Sequence, residues 1–370
     1  MTLTIVYSFN KRGTEAEFWH REIAAASDER YRFIPFNHDR YLPWTKYRRA
    51  QLLDNLYFDH HPGLMEMYGD LRSVLAAANA DALLVDNCFP YHPDWLRDID
   101  VYKVLRTTDG PLAAYDRDIP YLHGYDHVLY HSPAHSPQMS MREKLEYCGV
   151  KRSDFWPLAV FDRNFDMTKT EDDILASERD IDVIFIGGLV RNKMPLLAAV
   201  KKAFGRRAYF AGNNRWELNA YFNAKYGFPG WFRPVSFDDY VRLYQRAKIG
   251  IGVHNRGAYT VGSFRMFDLP ANGVMQISDG GGYLQDFFDV GREIVGYETV
   301  DELIEKIRYY LEHDDERREI ALAGYRRTMR DHRMRLRMRQ AGELIERGVR
   351  AIKAPSQRAT AEAGLTGPGP

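Results

Sequence analysis

Apolar positions in the first 130 residues fall into short buried runs separated by amphipathic stretches. Residues 3–7 read as a strand, 15–25 as a helix with apolar residues at helical spacing, and 31–35 as a second strand. The alternation continues with a helix over 65–78 and strands over 82–85, 101–105 and 127–130. Strands that alternate with helices predict a parallel sheet wrapped on both faces. Across residues 161–180 the apolar pattern lapses into a charged, Asp-rich segment that reads as a linker with a helical last turn. A second alternation follows: strand 182–186, helix 194–204, strand 208–211, helix 237–247 and strand 248–254. Ser263 is placed to cap a helix carrying Arg265 and Asp268, which Asn272 and Gly273 stop before a strand at 274–277. Helices are expected at 300–312 and, as one or two Arg-rich pieces, from 314 to about 353. The organisation expected is therefore a domain over 1–165, a linker over 166–180, a second domain over 181–332, a closing helix over 333–353 and a disordered tail over 354–370.

Charge and composition narrow the function. The chain has 51 basic and 51 acidic side chains, so its balance offers nothing to nucleic acid or an anionic membrane, and any anion must be met locally. Its two cysteines, Cys88 and Cys148, form neither a disulfide framework nor a CxxC metal motif. Residues 1–9 enter a strand pattern without the basic and apolar regions of a secretory signal. No apolar run approaches the roughly 20 residues of a membrane span. A cytoplasmic protein is expected, with peripheral association at the inner face of the membrane left open.

The candidate chemistry clusters in the second half. Gly187 and Gly188 directly follow a strand, where backbone can turn close against a pyrophosphate, and the helix start after Arg191 and Lys193 offers free N–H groups beside two cations. A plain tight turn is the alternative, since neither GxGxxG nor GxxxxGK[ST] is present. Gly280, Gly281 and Gly282 form a second glycine loop after another strand of the same domain. Arg265 can pair with phosphate oxygens, and Asp268, three residues on, can accept from ribose hydroxyls; the alternative is a surface ion pair worth about 0.3 kcal/mol. His254 sits at a strand end, where an imidazole can donate to a phosphate or sugar hydroxyl or serve structure alone. In the first domain Asp109 follows a strand and is either a general base or the cap of the Gly110-Pro111 turn. His123, His127, His131 and His135 recur every four residues, but Gly124 and Pro133 break any helix there, so no metal site is expected.

These residues, in this order, resemble the glycosyltransferase group 1 type enzymes of the GT-B fold, particularly their CgeB-like spore-maturation branch. The match runs through Phe232-Arg-Pro-Val-Ser-Phe-Asp-Asp-Tyr240, Arg265-Met-Phe-Asp268, Asn272-Gly273, Asp279 to Gly282, Gly291-Arg-Glu-Ile-Val295 and Ala323-Gly-Tyr325 to His332, and covers about residues 180–345. The family often shows RxFE, where this chain has the shorter Asp268. The resemblance implies an α/β GT-B fold, two Rossmann-like domains facing across a cleft, with a final helix over 333–353 crossing back to the first domain. A nucleotide-diphosphate sugar would be held by the second domain, and a glycan, lipid-linked or protein acceptor taken over the first. It implies a metal-independent, cofactor-free, hexosyltransferase-like enzyme of cell-surface or secondary glycan (polysaccharide) synthesis. Arg191, Lys193, Arg265 and His254 would face the donor, and Asp109 would be the base of an inverting reaction. A nucleotide-sugar epimerase of the same fold and a catalytically silent nucleotide-sugar-binding protein are the competing readings.

Overall fold

The computed structural model describes residues 2–86, 90–107, 119–136, 138–188, 191–212, 216–253, 263–279 and 281–363. The chain divides into two compact units, one comprising Met1–Pro133, Gln138–Pro157 and Arg335–Pro370, the other Ala134–Pro137 and Leu158–Met334.

The first unit is built on six parallel strands: β1 (Leu3–Phe9), β2 (Tyr31–Asn37), β3 (Ala82–Val85), β4 (Tyr102–Thr107), β5 (His127–Tyr130) and β6 (Ser153–Phe155). Their order is β2-β1-β3-β4-β5-β6. Parallel strands covered on both faces need apolar side chains in both directions, which is why β1 and β3 are almost continuous apolar runs. The strand β6, Ser-Asp-Phe, has no such run and escapes the hydrophobic pattern. The last helix, Met334–Ala363, begins at the end of the second unit, and from Arg335 onward it belongs to the first. Gly342 and Gly348 let it lie flush on the sheet: a Cβ at Gly342 would stand 2.6 Å from the Tyr31 ring, and one at Gly348 2.2 Å from the Tyr102 hydroxyl. The Trp156 indole N–H donates to the Arg337 carbonyl (2.6 Å). This helix runs past Lys353, through a stretch whose alanines favour a helix although its Gly, Pro and Ser content reads as a disordered tail.

The second unit carries five parallel strands: β7 (Ile181–Ile186), β8 (Ala208–Ala211), β9 (Ala247–Gly252), β10 (Met275–Ser278) and β11 (Val295–Gly296), ordered β8-β7-β9-β10-β11. Alternate residues of β7 face opposite layers. Val183 and Phe185 pack with the helix Met194–Phe204, while Ile184 and Ile186 pack with Tyr244 and Leu269. The strand order reverses direction between β7 and β9, and in doubly wound sheets a crevice opens at the carboxyl ends of the two strands flanking such a point.

The short helix Arg265–Ala271 starts differently from expectation: Phe264 occupies the cap position with helical backbone angles, no side chain caps it, and the Ser263 carbonyl instead accepts from the Met266 N–H (2.9 Å). Its end follows the sequence. Gly273 takes φ +64, its N–H donates to the Pro270 carbonyl, and a Cβ there would meet Ile174 at 2.3 Å. The segment read as a linker contains a further helix, Glu171–Ala176, held by a capping box between Thr170 and Asp173.

Candidate active site

At the carboxyl end of β7 the chain turns at Gly187, and Arg265 comes to meet it. The Arg265 Nε donates to the Ile186 carbonyl (2.7 Å), and its guanidinium lies over the Phe185 ring, 4.6 Å from the centroid. A Cβ on Gly187 would fall 1.9 Å from the Arg265 Nη2, so this glycine is the space the guanidinium occupies. Gly188, by contrast, is exposed, with nothing among the described residues within 4 Å of its Cβ position. Lys193, on the turn before the helix Met194–Phe204, brings its Nζ to 5.9 Å from the same Phe185 ring.

Two cations thus converge on one aromatic ring, and both are buried: Arg265 is 8% exposed and Lys193 5%. Burying a charge is costly unless something pairs it. The Arg265 Nη1 has no hydrogen-bond partner among the described residues. Burial first, and the Arg265 charge second, lower the Lys193 ammonium from its ordinary value to about 8, with the Asp279 carboxylate pulling the other way. The surroundings of these two side chains are therefore electropositive and, among the described residues, short of an acceptor for Arg265, the condition in which a bound anion gains most.

Asp268 makes its side-chain hydrogen bonds to other residues, although the Arg265 charge still reaches it. It is 2% exposed, accepts from the Asn164 amide (2.9 Å) and the Tyr240 hydroxyl (2.5 Å), and is pushed up to about 6 because burial outweighs those two bonds. The Asn272 amide ties the same cluster together, donating to the Asn164 and Asp268 carbonyls (2.8 Å each). Arg191 is exposed, its guanidinium 5.4 Å from the Tyr221 ring. Gly281 begins the short 3-10 helix Gly281–Asp286, which also includes Gly282. Asp109, His254 and Gly280 lie outside the described residues.

Of the expected donor residues, the structure brings Gly187, Lys193 and Arg265 together and places Asp268 and Arg191 in other surroundings. Sequence reasoning did not find Phe185, the ring shared by both cations, because it reads as one more apolar residue of a buried strand. Asn164 was also missed, since it lies in a segment that looks like a linker. Among the histidines at spacing four, His127 is buried beside Asp154 (2.9 Å) and the His131 Nδ1 sits 3.1 Å from the Thr107 carbonyl oxygen.

The first unit has a polar core of its own at the carboxyl ends of β3 and β4. Arg106, 1% exposed, faces Asp86 (3.3 Å), donates to the Tyr7 hydroxyl (2.7 Å) and packs over Trp156 (4.6 Å). Burial raises the Tyr7 phenol well above its ordinary value.

The architecture is that of the GT-B glycosyltransferases, α/β with Rossmann-like parallel sheets. A glycosyltransferase from Rickettsia africae superposes with a TM-score of 0.60 at 12% identity, over 94% of this chain and 99% of that one. Sucrose-phosphate synthase from Thermosynechococcus elongatus gives 0.58 at 12% identity, over 94% and 100%. HepE from Anabaena, solved in complex with UDP and glucose, gives 0.58 at 9% identity, over 93% and 99%. Residues 191–343 match a family model described as glycosyl transferase-like. No curated protein matches the chain significantly. Among the described residues no helix is long and apolar enough to cross a membrane.

Proposed function

We propose that the chain is a glycosyltransferase that moves a sugar from a nucleoside-diphosphate donor to an acceptor hydroxyl, with the donor diphosphate bound against Arg265 and Lys193. The observation that carries this reading is the convergence of these two buried cations on Phe185 at the end of β7. The matching family model over 191–343 includes both residues. As the bond from sugar to phosphate breaks, negative charge grows on the departing diphosphate, so cations already in place stabilise the transition state more than the ground state. Arg265 is set for this: Gly187 gives it room and the Ile186 carbonyl fixes its orientation. In this reading no metal is required, because the two side chains supply the charge. HepE, whose structure holds UDP and glucose, makes UDP the first nucleotide to test.

Asp268 enters the proposal as a positioning residue. Its carboxylate holds Asn164 and Tyr240, and through the helix it shares with Arg265 it fixes where that guanidinium starts. Asp109 is the base proposed for an inverting reaction, and His254 a donor to phosphate or sugar. Within the broader class, the hexosyltransferase-like and CgeB-like assignments rest on the sequence resemblance.

The test is binding followed by product analysis. UDP, GDP, ADP, CMP and dTDP are titrated into the protein with and without EDTA, and the matching donor sugar is then incubated with and without acceptor glycans. Transfer dependent on acceptor supports the proposal. Conversion of the donor without acceptor identifies an epimerase, and binding with no turnover a silent binder. Arg265→Ala should lower turnover by about 10²–10³, the scale of one lost transition-state donor. Full activity in that variant would remove Arg265 from the site.

A further inference from the structure

A second group of cations, of which Arg317 is buried and Arg179, Lys248 and Arg318 are partly exposed, lies at the opposite end of the same sheet. Arg179 precedes β7, Lys248 stands at the start of β9, Gly273 leads into β10, and Arg317 and Arg318 lie in the helix Asp314–Asp331. Together they line a cavity of about 50 Å³ whose only carboxylate-bearing residue is Asp314. Asp314 is shared between Arg317 and the Arg318 Nε. Lys248 is met by Asp182 outside the cavity lining (2.7 Å).

The arginines retain donors. Arg317 is 2% exposed, and its Nε has no hydrogen-bond partner among the described residues. Arg318 gives Nε to Asp314 and Nη1 to the Leu175 carbonyl (2.8 Å), which leaves Nη2 without a bond among the described residues. Arg179 is anchored on backbone, donating to the carbonyls of Ala247 (2.6 Å) and Asn272 (3.0 Å), so none of its bonds neutralises its charge. Burial and the charges of Arg317 and Arg318 lower it to about 10, an effect in the direction expected of uncompensated positive charge. Gly273 keeps the cavity narrow: a Cβ there would meet the Arg179 Nη2 at 2.9 Å and Ile174 at 2.3 Å.

We propose that this cavity binds one tetrahedral oxyanion, either free phosphate or the phosphate end of a phosphate monoester, bridging Arg179, Arg317 and Arg318. Planar guanidinium forks suit such an oxyanion better than a single ammonium does. A ligand here would fasten the helix Glu171–Ala176, whose Ile174 and Leu175 line the cavity, to the helix Asp314–Asp331. The site is separate from the donor site, at the amino-terminal instead of the carboxyl edge of the sheet, and does not depend on the transfer reading.

The experiment uses the full chain carrying Lys193→Ala and Arg265→Ala, so that phosphate cannot respond to the donor pair. Inorganic phosphate and glucose 6-phosphate are titrated separately by calorimetry and thermal shift, with chloride at matched ionic strength as control. The expected result is saturable binding that raises Tm, weakened at least tenfold by Arg318→Ala and partly restored by Arg318→Lys. Arg318 is half exposed, so its removal should leave the fold intact, as an unchanged Tm without phosphate would show, and a loss of binding there reads on the site. Response to both ligands indicates an open phosphate subsite, and response to phosphate alone a closed one. A response no larger than that of chloride, or one unaffected by Arg318→Ala, overturns the proposal.

Discussion

Lys193 pays for its position with part of its basicity, and this can be measured. Its folded value of about 8 lies below the roughly 10.4 of an unfolded lysine. Between those values the unfolded chain holds the proton more firmly, so stability should rise with pH from about 8 to 10, with the penalty present in full below 8. Lys193→Met should flatten that rise, as read by urea denaturation at pH 8, 9 and 10. Asp268 shows the opposite sign. Its value of about 6 lies above the unfolded 3.8, so the folded chain binds the proton more firmly and stability falls as pH climbs from about 4 to 6. Asp268→Asn should remove that fall and, because an amide can keep Asn164 and Tyr240 paired and so hold the helix that carries Arg265, leave nucleotide affinity within about threefold. A large affinity loss with the fold intact would return Asp268 to the ribose.

At the scale of elements, the sharpest contrast is between two adjacent glycines. Gly187→Ala drives a methyl into the Arg265 guanidinium and should weaken nucleotide binding at least tenfold, whereas Gly188→Ala meets none of the described residues and should change it little. Equal effects in a titration of both variants would contradict the geometry. The glycine pair was visible in the sequence as one loop after a strand, and nothing in it separated the two roles, since the neighbour that distinguishes them arrives from 78 positions further along. Strands whose side chains are mostly buried were legible for that reason: β3, β5 and β8 begin and end where the apolar runs do. The edge strand β11, two residues long, carries too little pattern to be read. Helices such as Ala50–Phe58 and Trp216–Tyr226 were not anticipated either. Arg265 and Asp268 were correctly placed on one helix, but their side chains reach different neighbours. That helix is buried along its whole length, so each side faces a different part of the core. The closing helix offers its own test. Gly348→Leu sets a branched side chain against the Tyr102 hydroxyl and should cost about 1–3 kcal/mol in denaturant unfolding.

At the scale of the whole molecule, a balanced net charge conceals two local concentrations of cations, one at each edge of the second sheet. The fold places the first at the strand-order reversal of β7 and β9, where doubly wound sheets collect ligands. The direct test is calorimetric titration of UDP into wild type and Arg265→Ala, each at pH 7 and pH 9.5. UDP should bind at pH 7 and bind about tenfold or more weakly to Arg265→Ala, consistent with loss of a charge-assisted bond of roughly 1.5–3 kcal/mol. Binding to wild type should also weaken at pH 9.5, as Lys193 loses its proton. UDP binding that is indifferent both to Arg265 and to this change of pH would contradict the proposed donor site.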